Sequence, residues 1–255
     1  MGVKLLTSYV KHNAAAILRE EEWTPQKKGP AVVVDGPAAV YHCYKVQTQL
    51  EPGYGGQMDD FVVSARKFLK SLLSCCEKVT MVCEGEPTDS ARMALLLARG
   101  RETMRQMGQA HGRFTGIPAF ANRTMYQIAM SLDIELVQSD GDFDGVAASL
   151  ANQRNCLVVS SDSDLFIFNT KGYIDTNTLV VTHATNKREA HIHATIYEAP
   201  RLAQHLKLDV SQLSVWATLL GNDFTSHESL AHFHTAIMPS SGKLLFCVSM
   251  YNYDG

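Results

Sequence analysis

Five short apolar runs in this chain each lead into carboxylates. They are Ala-Val-Val-Val before Asp35, Val-Thr-Met-Val-Cys before Glu84, Ile-Glu-Leu-Val-Gln upstream of Asp142 and Asp144, Leu-Val-Val-Ser-Ser before Asp162 and Asp164, and Trp-Ala-Thr-Leu-Leu-Gly-Asn before Asp223. A buried strand that stops at an acid delivers that acid to the edge of a sheet, and parallel strands share that edge. Between the runs, Phe61, Ala65, Phe68, Leu69, Leu72 and Leu73 recur at helical spacing. Helices are also predicted over 88–107, 122–132, 143–152, 196–206 and 210–220, with an amphipathic helix over 4–22. Strands are predicted at 31–35, 79–83, 134–138 and 156–160, and a weaker one over 173–181; the short run 165–168 is left open. Strands alternating with helices imply an α/β fold, a central and mostly parallel sheet flanked by helices, with an acidic site at the carboxyl ends of the strands.

Taken singly, most of these acids have structural readings. Asp35, followed by Gly36-Pro37, suits a turn or a helix N-cap, and Asp223 follows a helix that Gly221 could end. Glu84 is poor at both tasks. Asp142/Asp144 and Asp162/Asp164 share a spacing of two at the start of a predicted helix, so one acid of each pair can cap while the other sits in the first turn. Capping thus explains one acid per pair. An EF-hand loop opening at Asp140 fails because its twelfth position is Ala151 and a strand precedes it. Clustered carboxylates repel one another, and a cation neutralises them. Seven acids from five segments at one sheet edge therefore predict a site for hard divalent cations, Mg2+ or Mn2+ and two ions, suited to phosphodiester chemistry. No Gly-x-x-x-x-Gly-Lys occurs, so no nucleotide-phosphate loop is expected.

Charge is unevenly spread. Residues 1–130 carry 16 Lys and Arg against 12 acids, and residues 131–255 carry 7 against 14. Arg92, Arg99, Arg101, Arg105, Arg113 and Arg123 face only Glu102 within their stretch, which suits an anion. No membrane span or signal core is legible, so a soluble, intracellular chain is expected. The six cysteines lack Cys-x-x-Cys spacing, and several sit in apolar runs as small hydrophobes. His191, His193, His227, His232 and His234 lack zinc-site spacing, and Ser160 and Ser161 have no triad context. Trp23 and Trp216 read as packing residues, with Tyr41, Tyr44 and Tyr54 as weaker base-stacking candidates.

The chain resembles the flap endonuclease superfamily, and within it the asteroid branch. The resemblance rests on Met1-Gly2-Val3, on Val-Val-Val-Asp35-Gly and Val-Cys-Glu84-Gly-Glu-Pro, and on the acidic pair before Leu150-Ala151-Asn152. It continues through Leu-Val-Val-Ser-Ser-Asp162-Ser-Asp164-Leu-Phe-Ile-Phe and Leu-Leu-Gly221-Asn222-Asp223. It implies a PIN-like fold over 1–225, with 88–130 as a basic, arch-like helical segment and 226–255 as a divergent or truncated tail. The family's metal-binding acids correspond to Asp35, Glu84, Asp142, Asp144, Asp162, Asp164 and Asp223. Arg92 and Arg99, seven apart on one helix face, correspond to the family's pair at the scissile phosphate. Gly2 lies near the substrate phosphate on this reading, and Arg101 and Arg105 add basic contacts. Glu84 stands where Asp is common, Asp142 where Glu is usual, and Leu5 where a glycine follows Met-Gly-Val-Lys. Residues 224–255 lack the family's Gly-x-Gly duplex-gripping hairpin.

The expected function is a metal-dependent, structure-specific endonuclease acting on single-stranded or branched DNA, with no small-molecule cofactor and no membrane. A nuclear location, repair-protein partners and a role in DNA repair follow from that reading. A catalytically weak or inactive scaffold and a PIN-type RNase share the same acidic framework.

Overall fold

The structure, a computed structural model, describes residues 6–46, 48–50, 56–85, 90–109, 116–139, 143–221, 225, 228–230 and 232; within 90–109 some side chains, including those of Arg92 and Arg99, fall outside that description. Two compact units are distinguished: 20–161 with 170–196, and 1–19 with 162–169 and 197–255.

The larger unit is built on a sheet. Its central strands are β2 (Val32–Asp35), β3 (Val79–Cys83), β4 (Glu135–Gln138), β5 (Leu157–Ser160) and β6 (Tyr173–Asp175), preceded in the chain by β1 (Leu18–Trp23) and followed by β7 (Val180–Thr182) and β8 (His191–Tyr197). The order is β1-β8-β6-β5-β2-β3-β4, with β7 on β8. The pairs β2–β3, β2–β5, β3–β4 and β5–β6 are all parallel. β2, β3 and β5 are buried along their whole length, as continuous Val-rich runs in a doubly covered parallel sheet should be.

Helices supply the cover. In α4 (Met58–Cys75), Phe61, Ala65, Phe68, Leu69 and Leu72 form the predicted apolar face and are buried in the core. α3 (Gly36–Tyr41), α5 (Ser90–Gln109), α6 (Ala121–Ser131) and α7 (Phe143–Arg154) complete the unit's main helices. Buried Cys43, Cys75, Cys76, Cys83 and Cys156 are free thiols, and burial pushes Cys76 up to about 12 and Cys83 up to about 11.

The smaller unit contains α1 (Leu6–His12), α2 (Ala14–Ile17), α8 (Ala199–Leu206) and α9 (Leu213–Leu220). Arg19 donates to Glu198 at 2.8 Å, and Arg201 donates both to Glu198 and to the Leu18 carbonyl.

Several elements depart from the sequence prediction. The single helix expected over 4–22 ends at Ile17, and 18–23 is strand, because the sheet edge overrides the helix-favouring Leu-Arg-Glu-Glu-Glu composition. The segment 191–197 is strand β8, so the helix predicted from 196 begins only at Ala199. The weak strand at 173–181 is two strands joined by a turn in which Asp175 accepts from the Asn177 amide at 2.9 Å. The open run near 165 is a 3₁₀ turn, Ser163–Phe166.

At the β3–β4 edge, Glu135 meets Arg154 at 2.7 Å and Lys78 at 2.9 Å, and Arg154 also donates to Thr80 at 3.1 Å. Hydrogen bonds from Arg154 first and Lys78 second hold the Glu135 carboxyl at about 2 against an ordinary 4.5. A depressed carboxylate adds stability above its unfolded pKa and loses it as pH falls through the folded value. This pair's contribution is accordingly present above pH 4.5 and lost between 4.5 and about 2. An NMR titration of Glu135 is expected to show that low midpoint, and Arg154→Ala to move it back toward 4.5.

Candidate metal centre

Asp35 closes β2 and is only 6% exposed. It is also the N-cap of α3, where Oδ1 accepts from the Ala38 amide at 2.9 Å and Pro37 occupies the first turn. Its other oxygen accepts from the Ser160 hydroxyl in a short hydrogen bond. Parallel pairing explains that contact: Val34 lies beside Val159, so the next residue of β5 comes beside the next residue of β2. A carboxylate oxygen carries two lone pairs, so capping does not by itself exclude metal binding at Asp35. Ser160→Ala strips a donor from a buried carboxylate and is expected to cost about 2 kcal/mol in urea unfolding, while exposed Ser161→Ala changes little.

Glu84 follows β3 directly and is exposed. Its neighbour Gly85 donates its amide to the buried Ser139 hydroxyl at 3.2 Å, and the Ser139 amide donates to the Cys83 carbonyl at 3.0 Å. Those bonds join the chain just beyond β3 to the chain just beyond β4.

Asp162 caps the 3₁₀ turn that follows β5, accepting from the Asp164 amide at 3.1 Å, and Asp164 sits in the first turn. Asp144 occupies the first turn of α7. Asp162 and Asp164, both half-buried, each present a ligand oxygen, and these oxygens lie within 4.8 Å of one another. Ligand oxygens on opposite sides of a Mg2+ lie about 4.2 Å apart, so small rotamer adjustments suffice to hold one. An all-carboxylate donor set suits Mg2+ or Mn2+ in preference to softer metals.

The remaining predicted residues divide in two. Gly2, Asp142 and Asp223 lie outside the described residues, as do the side chains of Arg92 and Arg99, whose backbone is in α5. Arg101 is exposed, and Arg105 is bound to Glu102 at 2.6 Å, an exposed and solvent-screened pair that opens readily for an anion.

Two residues of this edge escaped the sequence reading. Ser160 was legible through strand register alone. Tyr126 of α6 sits against the core, its ring 2.6 Å from where a Cβ on Gly36 would lie. Burial foremost, then Cys83, Glu84 and Asp35 nearby, push its hydroxyl well above the usual phenol range.

A sequence profile of the family described as XPG domain containing matches residues 117–248, just over half of the chain. The chain belongs to the XPG-domain family. Its relatives include a single-strand DNA endonuclease, ASTE1, from Danio rerio, 26% identical over 92% of this chain and 34% of that protein. The human ASTE1 is 27% identical over 88% of this chain and 33% of its own. The asteroid protein of Drosophila melanogaster is 22% identical over 95% of this chain and 34% of its own. This XPG-domain chain thus spans about a third of the length of those relatives. Human GEN1, solved with Holliday junction DNA, superposes with a TM-score of 0.57 at 17% identity, over 96% of this chain and 57% of that one. Flap endonuclease-1 from Methanococcus jannaschii gives 0.56 at 14%, over 92% and 78%. The fold of these XPG-family nucleases is the PIN-like arrangement expected from the sequence.

Proposed function

We propose that the chain is the nuclease module of an XPG-type endonuclease and hydrolyses phosphodiester bonds in DNA of single-stranded or branched character. The observation that carries this reading is the pair Asp162 and Asp164 at the end of β5, with ligand oxygens within 4.8 Å of one another. Relatives named as single-strand DNA endonucleases and neighbours solved on DNA support it. On this reading residues 1–225 form the module, 88–130 its arch-like segment and 226–255 its tail.

Two Mg2+ or Mn2+ ions, when bound, supply the lowered water pKa and the charge neutralisation that phosphodiester hydrolysis needs. The chain's residues do the rest. Asp144, Asp162 and Asp164 hold cation, Asp35 and Glu84 extend the acidic edge along β2 and β3, and Asp142 and Asp223 complete the set. The Asp162 cap fixes the backbone that presents Asp164. Arg92 and Arg99 clamp the reacting phosphate from one face of α5, Arg101 and Arg105 hold the strand beyond it, and Gly2 leaves the phosphate room at the N-terminus. DNA as substrate makes the nucleus the site of action and repair proteins the natural partners.

The test is cleavage of flap, overhang, single-stranded DNA and RNA substrates with Mg2+ or Mn2+, beside Asp164→Ala. DNA with single-stranded character is expected to be cut, and Asp164→Ala to lose the activity. DNA binding indifferent to divalent ions, without cleavage, makes the chain a scaffold; preferential RNA cleavage makes it an RNase.

A further inference from the structure

The hydroxyl of Tyr126 is buried, and among the described residues its O–H finds no acceptor; the Glu84 backbone amide comes near the phenol oxygen only as a donor. A buried O–H left without an acceptor is costly, and phenylalanine would fill the same space without that cost. The surroundings are equally specific. Asp35 and Glu84 are the charged groups that weigh on this hydroxyl, and Gly36, lacking a side chain, is what makes room for the ring beside the end of β2: a Cβ there would lie 2.6 Å from the ring and 3.2 Å from the hydroxyl. Tyr126 therefore brings a hydrogen-bond donor to the carboxyl ends of β2 and β3, where two acids stand. Asp35 already has donors on both oxygens, whereas Glu84 extends outward and exposed.

We propose that Tyr126 is a positioning residue for Glu84: when a divalent cation draws the Glu84 carboxylate in over the sheet edge, the Tyr126 hydroxyl donates a hydrogen bond to the carboxylate oxygen turned away from the ion. The phenol thereby fixes the orientation of an acid one methylene longer than aspartate. Groups that orient a metal-binding side chain in this way commonly change metal affinity 10- to 100-fold when removed. This inference rests on the metal-centre reading above.

The experiment is Mn2+ titration of the full 255-residue chain, followed by electron paramagnetic resonance, for the native protein, Tyr126→Phe, Glu84→Ala and the double variant. Tyr126→Phe is expected to weaken Mn2+ binding about tenfold, with a metal-free melting temperature no lower than native. In the Glu84→Ala background the same change is expected to have no further effect. Unchanged Mn2+ affinity in Tyr126→Phe overturns the proposal, as does an equal loss in the Glu84→Ala background or a lowered metal-free melting temperature. A native chain that binds no Mn2+ overturns the metal-centre reading itself, and this proposal with it; that result is visible before any variant is compared.

Discussion

Asp164→Ala is expected to lower metal-supported DNA cleavage about a thousandfold while leaving the metal-free chain within about 1 kcal/mol of native stability. The two halves of that expectation come from the same geometry. With ligand oxygens within 4.8 Å, Asp162 and Asp164 repel each other when ionised and no cation is present, so removing one charge offsets whatever contacts the side chain makes. With cation present, the same removal deletes a ligand from the site, and a loss of about 4 kcal/mol in transition-state stabilisation corresponds to that thousandfold drop. Asp162→Ala is a harsher variant, because Asp162 also caps the 3₁₀ turn by accepting the Asp164 amide. It is therefore expected to lose the activity and about 1 kcal/mol of stability together. Cleavage rates under single-turnover conditions, set beside thermal melting with and without Mn2+, separate the two cases. An Asp164→Ala protein that cuts at more than a tenth of the native rate removes this group from the chemistry.

The acidic edge was legible because its strands are short, almost wholly apolar and parallel, so their ends could be read from composition alone. β2, β3 and β5 match the predicted runs to within a residue. The edge of the sheet was not legible in the same way. β1, the edge strand, carries Arg19 and three glutamates, and a half-exposed edge strand needs no continuous apolar run; β8, inside it, opens with His191 and His193 alternating with buried Ile192 and Ala194, which breaks the apolar run at its start. The residues that support the acids were hidden for a different reason. Ser160 reaches Asp35 through strand register across 125 positions, and Tyr126 arrives from a helix whose own periodicity says only that it packs. Periodicity reports which face is buried; it does not report which polar atom that burial brings beside an acid.

Gly85→Ala is expected to destabilise the chain by about 3 kcal/mol, which for a protein of this size lowers the melting temperature by roughly 6 to 12 °C. A Cβ at that position would lie 1.8 Å from the Ser139 carbonyl oxygen and 3.0 Å from its carbon, and both are backbone atoms that no rotamer change can move. Ser139 is itself fully buried and tied to Cys83 and Gly85 by hydrogen bonds, so relief requires the ends of β3 and β4 to part. Glu84, between Cys83 and Gly85, would shift with that backbone, and Mn2+ affinity is expected to fall along with stability. Gly100→Ala supplies the contrast, since nothing lies within 4 Å of its would-be Cβ in α5. There alanine is expected to stabilise by about 0.5–1 kcal/mol through helix propensity. Differential scanning calorimetry of the two variants with and without Mn2+ decides the point: a Gly85→Ala protein that melts with the native chain and keeps its Mn2+ affinity refutes the close approach of these two strand ends.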